Sequence, residues 1–182
     1  MMKKIGALLA AVLLVLGLGL VIPTSAAAAP YCGITWGSQV KVSSPMTSAP
    51  VVNVRTGRHQ CFDRMVVDIR GKGAGYRVEY VSAVRSDGSG QVVPLRGGAF
   101  LRVIVKAPSY DRYGNATYQP CNTRELVNVA GYTTFRQLAS AGSFEGQSTF
   151  GLGVRARLPF RTFVLDGPGT ASRVVIDVAH RW

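Results

Sequence analysis

The chain has 182 residues, room for one domain and a short appendage. Its apolar content of 47%, with 21 Gly and 9 Pro, excludes a disordered or low-complexity chain. Twenty-one Lys and Arg against nine Asp and Glu give a formal charge of +12, which points to polyanionic partners.

Met1-Met2-Lys3-Lys4 is a short positive start, and Ile5 to Ile22 then runs without a polar side chain. Pro23-Thr24-Ser25 breaks the run, and Ala26 to Ala29 supply the small residues that a signal peptidase needs. This is the order of a secretory signal peptide, so residues 1–29 read as the signal-peptide segment, with cleavage expected after Ala27 or Ala28. The alternative is an uncleaved anchor, since the apolar run would span about 27 Å as a helix. No basic stop-transfer cluster follows it, and membrane contact is expected only if the segment stays uncleaved. Either way the remainder is expected to be secreted or held in the cell envelope. Without Lys3 and Lys4 it keeps nineteen basic residues, sixteen of them Arg, against nine acids, a net of +10. Outside a bacterial membrane the matching polyanions are wall polymers, lipid headgroups and peptidoglycan carboxylates; nucleic acid is not an expected partner.

Residues 30–50 read as an N-terminal arm or linker, with a polar, Pro-containing tether over 38–50. From Val51 the apolar period is two. It shows in Met65/Val67/Ile69, Tyr76/Val78/Tyr80, Leu101/Val103/Val105, Phe150/Leu152/Val154, Phe160/Thr162/Val164 and Val174/Ile176/Val178. Gly71-Lys72-Gly73, Asp87-Gly88-Ser89-Gly90, Gly97-Gly98, Tyr113-Gly114-Asn115 and Asp166-Gly167-Pro168-Gly169 separate these runs as turns. The pattern predicts an all-β, single-domain β-sandwich of short antiparallel strands over 51–182, with residues 30–37 packed against it. Phe135, Leu138 and Ala139 have helical spacing, but Gly142 and Gly146 follow closely, and strand is the favoured reading. Arg64-Met65-Val66-Val67-Asp68-Ile69 is echoed by Arg173-Val174-Val175-Ile176-Asp177-Val178. The echo is either convergent strand composition or a pair of equivalent strands in the two halves of a sandwich.

Three cysteines allow three pairings and leave one thiol over. Cys32–Cys61 is the expected disulfide, because it would tie the Tyr31–Trp36 arm to the first hairpin. Closing that loop contributes about 3–4 kcal/mol in the chain-entropy picture. Cys121 is then free.

Arg173-Val174-Val175-Ile176-Asp177-Val178 resembles the Arg-hydrophobic-Asp signature of AMIN domains, small β-sandwich modules of bacterial envelope proteins. The chain is more closely similar to the AMIN-like domain proteins of actinobacteria. The matching segments include Tyr31-Cys32-Gly33-Ile34-Thr35-Trp36-Gly37-Ser38, Arg55-Thr56-Gly57-Arg58-His59 and Cys61-Phe62-Asp63-Arg64. Gly142-Ser143-Phe144-Glu145-Gly146-Gln147, the stretch from Gly151 to Phe160 and the terminal Asp177-Val178-Ala179-His180-Arg181-Trp182 match as well. The resemblance implies a wall-associated β-sandwich and carries over no catalytic residue.

The chemistry-bearing residues agree with a non-catalytic protein. His59 and His180 lie in no zinc-binding pattern, and the cysteines lack C-x-x-C spacing, so no metal and no cofactor is expected. There is no nucleophile elbow or phosphate loop, and an appended amidase domain is not expected. Gly151 and Gly153 are read as places where another backbone approaches the strand. Glu145 reads as a solvated turn acid, Asp63, Asp68 and Asp177 as structural partners of Arg, and His180 as a packed, satisfied side chain. No catalytic residue is assigned. The expected function is binding of peptidoglycan or a wall-attached anionic glycan, with an envelope protein-protein adaptor as the alternative and a secreted hydrolase as the least favoured. The expected contact surface is a strand carrying Arg155 and Arg157, which would share one face at period two. Arg161 lies near them, and Arg136 and Gln147 would join from the neighbouring hairpin.

Overall fold

Strands form wherever the period-two pattern runs between turn residues. The computed structural model describes residues 30–182, so the expected signal peptide at 1–29 lies outside the described residues. After a short 3-10 turn at Tyr31–Gly33, nine strands follow: β1 Lys41–Ser43, β2 Val51–Arg58, β3 Phe62–Ile69, β4 Tyr76–Val81, β5 Ala99–Val105, β6 Phe135–Phe144, β7 Gln147–Val154, β8 Phe160–Asp166 and β9 Ser172–Ala179. They make two antiparallel sheets, ordered β1-β4-β5-β7-β6 and β2-β3-β9-β8. Met65, Val67 and Ile69 with Val174, Ile176 and Val178 share one core with Leu101, Val103, Val105, Phe150 and Leu152. The all-β sandwich is therefore the fold of this chain.

The helical spacing of Phe135 and Leu138 has a strand explanation. The β6–β7 register slips between Phe135 and Gln137, and again between Ser140 and Gly142. Each bulge inserts a residue, so side chains three apart can reach the same face. Phe135 and Leu138 both enter the core. The 38–50 stretch, read from sequence as a tether, supplies β1, which pairs with β4 as an edge strand.

The internal echo does not mark opposite halves of the sandwich. The two copies, on β3 and β9, are antiparallel neighbours at the centre of one sheet, with Arg64 opposite Asp177 and Asp68 opposite Arg173. An Arg and an Asp four residues apart read the same way in both antiparallel directions, so each Arg falls opposite an Asp.

β7 is buried at every position from Ser148 to Val154, because the 82–98 connection covers its outer face. The two glycines of β7 make room for that cover. A Cβ at Gly153 would stand 1.9 Å from the Arg96 carbonyl oxygen, and one at Gly151 would stand 2.8 Å from Leu95 Cδ1. The other sheet shields its outer face with its own side chains and, at one end, with Trp36 from the segment before β1. Its edge strand β8 is engaged from the side: Phe160 N–H donates to the Gly37 carbonyl at 2.9 Å, and Tyr76 Oη donates to the Thr162 carbonyl at 2.9 Å. The β6 edge is engaged by the 123–126 segment, with Leu126 N–H donating to Leu138 and Ser140 N–H to Thr123.

Gly153→Ala forces a methyl group into the Arg96 backbone and is expected to cost about 3 kcal/mol. Gly57→Ala, whose Cβ would meet nothing closer than His59 Nε2 at 3.5 Å, is expected to stay within about 0.5 kcal/mol of wild type. Urea denaturation of both variants measures the difference.

Candidate ligand-binding end of the sandwich

β2, β9 and β7 finish at the same end of the sandwich where β3, β8 and β6 begin. The N-terminal arm is fastened there. Cys32 and Cys61 are joined by a disulfide, and Cys121 is free and exposed. Trp36 Nε1 donates to the Tyr31 carbonyl at 2.8 Å, and the Trp36 ring sits 5.9 Å from that of Phe62.

Beneath the arm lies Asp177, fully buried on the outer face of the four-stranded sheet. Arg64 Nε donates to it at 2.6 Å and Arg161 Nε at 2.8 Å. The Arg161 guanidinium is packed 5.1–5.5 Å from the ring centroids of Trp36, Phe62 and Phe163. The aromatic rings keep water from the ion pairs, and their faces attract the guanidinium charge. Asp63, one residue before Arg64, points the opposite way. Its Oδ2 accepts N–H groups of Thr134 at 2.6 Å and Phe135 at 3.1 Å, and its Oδ1 lies 3.2 Å from His180 Nε2. Asp63 therefore serves backbone donors and a histidine, in place of the Arg partner read from the sequence. Asp68 and Asp177 do pair with Arg, and His180 is half-buried and satisfied.

Arg155 and Arg157 are both exposed, while Val154 and Leu158 are buried. They do not lie on a strand, however. β7 ends at Val154, and residues 155–159 form the crossing to β8. Gly97 and Gly98 fold back over Val154 and Arg155 at this point, and Pro159 has no N–H for a ladder. Arg157 lies 4.8 Å over the Tyr80 ring, and its carbonyl accepts Trp182 Nε1 at 3.2 Å. Arg155 donates to the His180 carbonyl. Arg136, at the start of β6, donates to carbonyls of Tyr132, Thr133 and Phe135, so it caps its own loop. Gln147 is at the other end: it pairs with Phe144 at the hairpin tip, seven residues along β7 from Val154 and roughly 23 Å away. The structure thus brings together Arg136, Arg155, Arg157 and Arg161, and leaves Gln147 out.

It also adds residues that the sequence reading missed. Arg181 stacks 4.7 Å over Tyr31, Arg58 lies 5.9 Å from Tyr132, and Lys41 lies 5.4 Å from Phe160. Among the described residues, Lys41, Arg58, Arg136, Arg155, Arg157 and Arg181 have no carboxylate in ion-pair range. The acids of this end are consumed: Asp63 and Asp177 are buried, and Glu125 is held by Arg96. Asp87, Asp111, Glu145 and Asp166 sit at the opposite end, among its own cations. Elsewhere Arg77 and Arg102 hold Glu79 on the outer face of the five-stranded sheet, and cations without a carboxylate in ion-pair range, such as Arg70, Arg85, Lys106 and Arg112, are offset in part by Asp87, Asp111 and Glu145. One end therefore carries most of the excess positive charge. A guanidinium lying flat on a ring keeps its N–H edge free for two parallel bonds to a carboxylate or phosphate. Among the described residues no cluster of three His, Cys, Asp or Glu gathers to hold a metal ion.

A profile of the AMIN-like domain matches residues 49–180. The chain belongs to the AMIN-like domain family. No curated protein and no solved structure matches it. Membership suggests a module of the cell envelope with an extracytoplasmic location, in a family that is generally non-catalytic. The family span begins at Ala49, so the disulfide-fastened arm of this AMIN-like chain precedes it. Among the described residues no helix is long and apolar enough to cross a membrane.

Asp177→Ala leaves Arg64 and Arg161 facing each other. Their side chains are 24% and 32% exposed and can recruit some water, so the expected cost is at the low end for a broken buried pair, about 3 kcal/mol. Thermal or urea unfolding measures it, and Arg64→Ala should be milder because Arg161 keeps the carboxylate paired. Glu79 gives a pH signature. Arg77 first, then Arg102, pull its carboxyl down from 4.5 to about 2. A depressed folded pKa contributes stability above the unfolded value and loses it as pH falls toward the folded one. The stability advantage of wild type over Glu79→Gln is therefore expected to be full above about pH 5 and to fade toward about pH 2, read from urea midpoints across that window.

Proposed function

We propose that this AMIN-like protein is an exported, non-catalytic module that binds peptidoglycan or a wall-attached anionic glycan through the basic end of its sandwich. The observation that carries this reading is the separation of charge. Six cations without acidic partners gather at one end, beside Tyr31, Tyr80 and the 69%-exposed Trp182, while the acids of that end are buried or already paired. A wall polymer repeats its carboxylates or phosphates along one chain, so several weak charge-assisted contacts add up to a firm hold. Sugar rings supply the apolar face that exposed aromatic side chains can stack upon.

Within the surface the roles divide. Arg155 and Arg157 are the contact residues, because they are exposed and meet no carboxylate. Arg161 and Arg136 support the surface, since their guanidinium groups are committed to Asp177 and to loop carbonyls. Secretion follows from the signal-peptide pattern of residues 1–29.

Co-sedimentation of the mature chain with purified cell walls tests the reading. Wild type is expected in the pellet at low salt and increasingly in the supernatant as salt rises, because exposed charges are screened. Stripping the anionic polymers from the walls should weaken binding. Arg155→Ala with Arg157→Ala should weaken it about tenfold, a loss of about 1.4 kcal/mol, and Gln147→Ala should leave it unchanged. Wild type remaining in the supernatant at low salt overturns wall binding, and a double variant that binds like wild type overturns the surface. Binding to a protein partner that ignores salt would favour the adaptor alternative.

A further inference from the structure

The end of the sandwich remote from Arg155 holds a concavity that wall binding leaves unused. Between the 44–50 segment and the 109–117 loop runs an open groove of about 820 Å³, within the range of about 300–1,000 Å³ that small-molecule sites occupy. Its walls are carbon: Met46, Pro50, Pro108, Tyr110 and Tyr113. Met46 and Tyr113 are 54% and 72% exposed, so both offer apolar surface to a ligand in the groove.

The walls are held in place before any ligand arrives. Asp111 Oδ1 accepts the N–H groups of Tyr113 at 2.8 Å and Asn115 at 2.9 Å, and its Oδ2 accepts the Asn115 amide at 3.1 Å. Those bonds fix the loop that presents Tyr113 and occupy the carboxylate of Asp111. Tyr110 Oη accepts Gly146 N–H at 3.0 Å, which fastens the other wall to the β6–β7 turn. Gly146 has φ +76°, and a Cβ there would stand 2.7 Å from Met46 Cε, so the turn keeps space for Met46. A pre-arranged site loses less freedom on binding.

Two features decide what fits. The acceptors inside the groove are largely engaged: Thr47 Oγ1 accepts Ala49 N–H at 3.1 Å, and Tyr110 and Asp111 accept as above, while the hydroxyl groups of Thr47, Ser48 and Tyr110 keep a hydrogen to give. A sugar, with hydroxyl groups all round, would leave most of them without partners. Arg70 and Arg112 stand at the rim, and neither has a carboxylate in ion-pair range; Arg112 lies 4.6 Å over the Tyr113 ring. We infer that the groove binds a single-chain anionic amphiphile, with its aliphatic chain against Met46, Pro50, Pro108, Tyr110 and Tyr113 and its carboxylate or phosphate head on Arg70 and Arg112.

Calorimetric titration of the mature chain with dodecyl phosphate, kept below its micelle concentration, tests the inference. One saturable site is expected. Inorganic phosphate, which lacks the chain, should bind at least about a hundredfold more weakly, and dodecyl maltoside, which lacks the charge, about tenfold more weakly. Arg70→Ala with Arg112→Ala should lose about tenfold for dodecyl phosphate and nothing for dodecyl maltoside. Ser48→Trp, a substitution at an exposed lining position, should fill the groove and abolish binding while leaving wall co-sedimentation intact. The inference is overturned if dodecyl phosphate gives no saturable binding, if both variants bind it like wild type, or if Arg155→Ala with Arg157→Ala removes the site. It is also overturned if the only groove-dependent binding, lost in Ser48→Trp, is to phosphatidylglycerol vesicles, because a bilayer surface would then be the occupant.

Discussion

A carboxylate removed from water must find its compensation inside the protein, and Asp177 finds it in two guanidinium groups. Arg64 reaches it from β3 and Arg161 from β8, so one charge ties three strands of the four-stranded sheet. The rings of Trp36, Phe62 and Phe163 then close over the guanidinium groups. Trp36 comes from the arm, and the arm is held by Cys32–Cys61. The ion pair, the aromatic cover and the disulfide are therefore one arrangement. Losing the arm would admit water to the pair, and losing the pair would leave the arm without a seat.

The triad has a charge of +1, and this affects how the end of the molecule presents itself. Arg161 spends its Nε and Nη2 groups on Asp177, which leaves it less to offer a ligand, yet it adds to the field around Arg155 and Arg157. Asp63 behaves in the mirror sense, spending its charge on the amides that start β6 and on His180. Two acids of this end are turned inward, and the third, Glu125, is held by Arg96. What reaches solvent is nearly all positive, although the chain there contains acid as well as base.

Much of the fold was legible because alternation and turn residues are local signals. The cores of β3, β4, β5, β7, β8 and β9 stand in the sequence as alternating apolar side chains, and the glycines of β7 announced the approach of another backbone. The disulfide followed from asking which pairing would tie down a loose arm. What escaped was information held between segments. A bulge in β6 imitates helical spacing, and no rule of period two anticipates the inserted residue. The Arg-Asp echo was visible, but its meaning needed the antiparallel pairing that sets Arg64 against Asp177. Arg155 and Arg157 alternate as on a strand, while Gly97, Gly98 and Pro159 make that stretch a crossing between sheets. Gln147 looked close to Arg155 along the chain, yet a hairpin carries it to the far end. Arg181, Arg58 and Lys41 come from three distant stretches and meet only in the folded molecule.

The way the sheets end has a bearing on how this protein can meet other molecules. An open strand edge is an invitation to any passing chain to add itself by main-chain hydrogen bonds. Here β8 gives its outward groups to Gly37 and Tyr76, β6 is occupied by the 123–126 segment, and β1 is only three residues long. Little backbone is left on offer along these borders, while β2, the other edge of the four-stranded sheet, is engaged from the side at Val51, through Pro108 and Thr117. Recognition along three borders is thereby steered to side chains at the two poles of the sandwich, and β2 is, among the described residues, the one long border where another strand could still add itself.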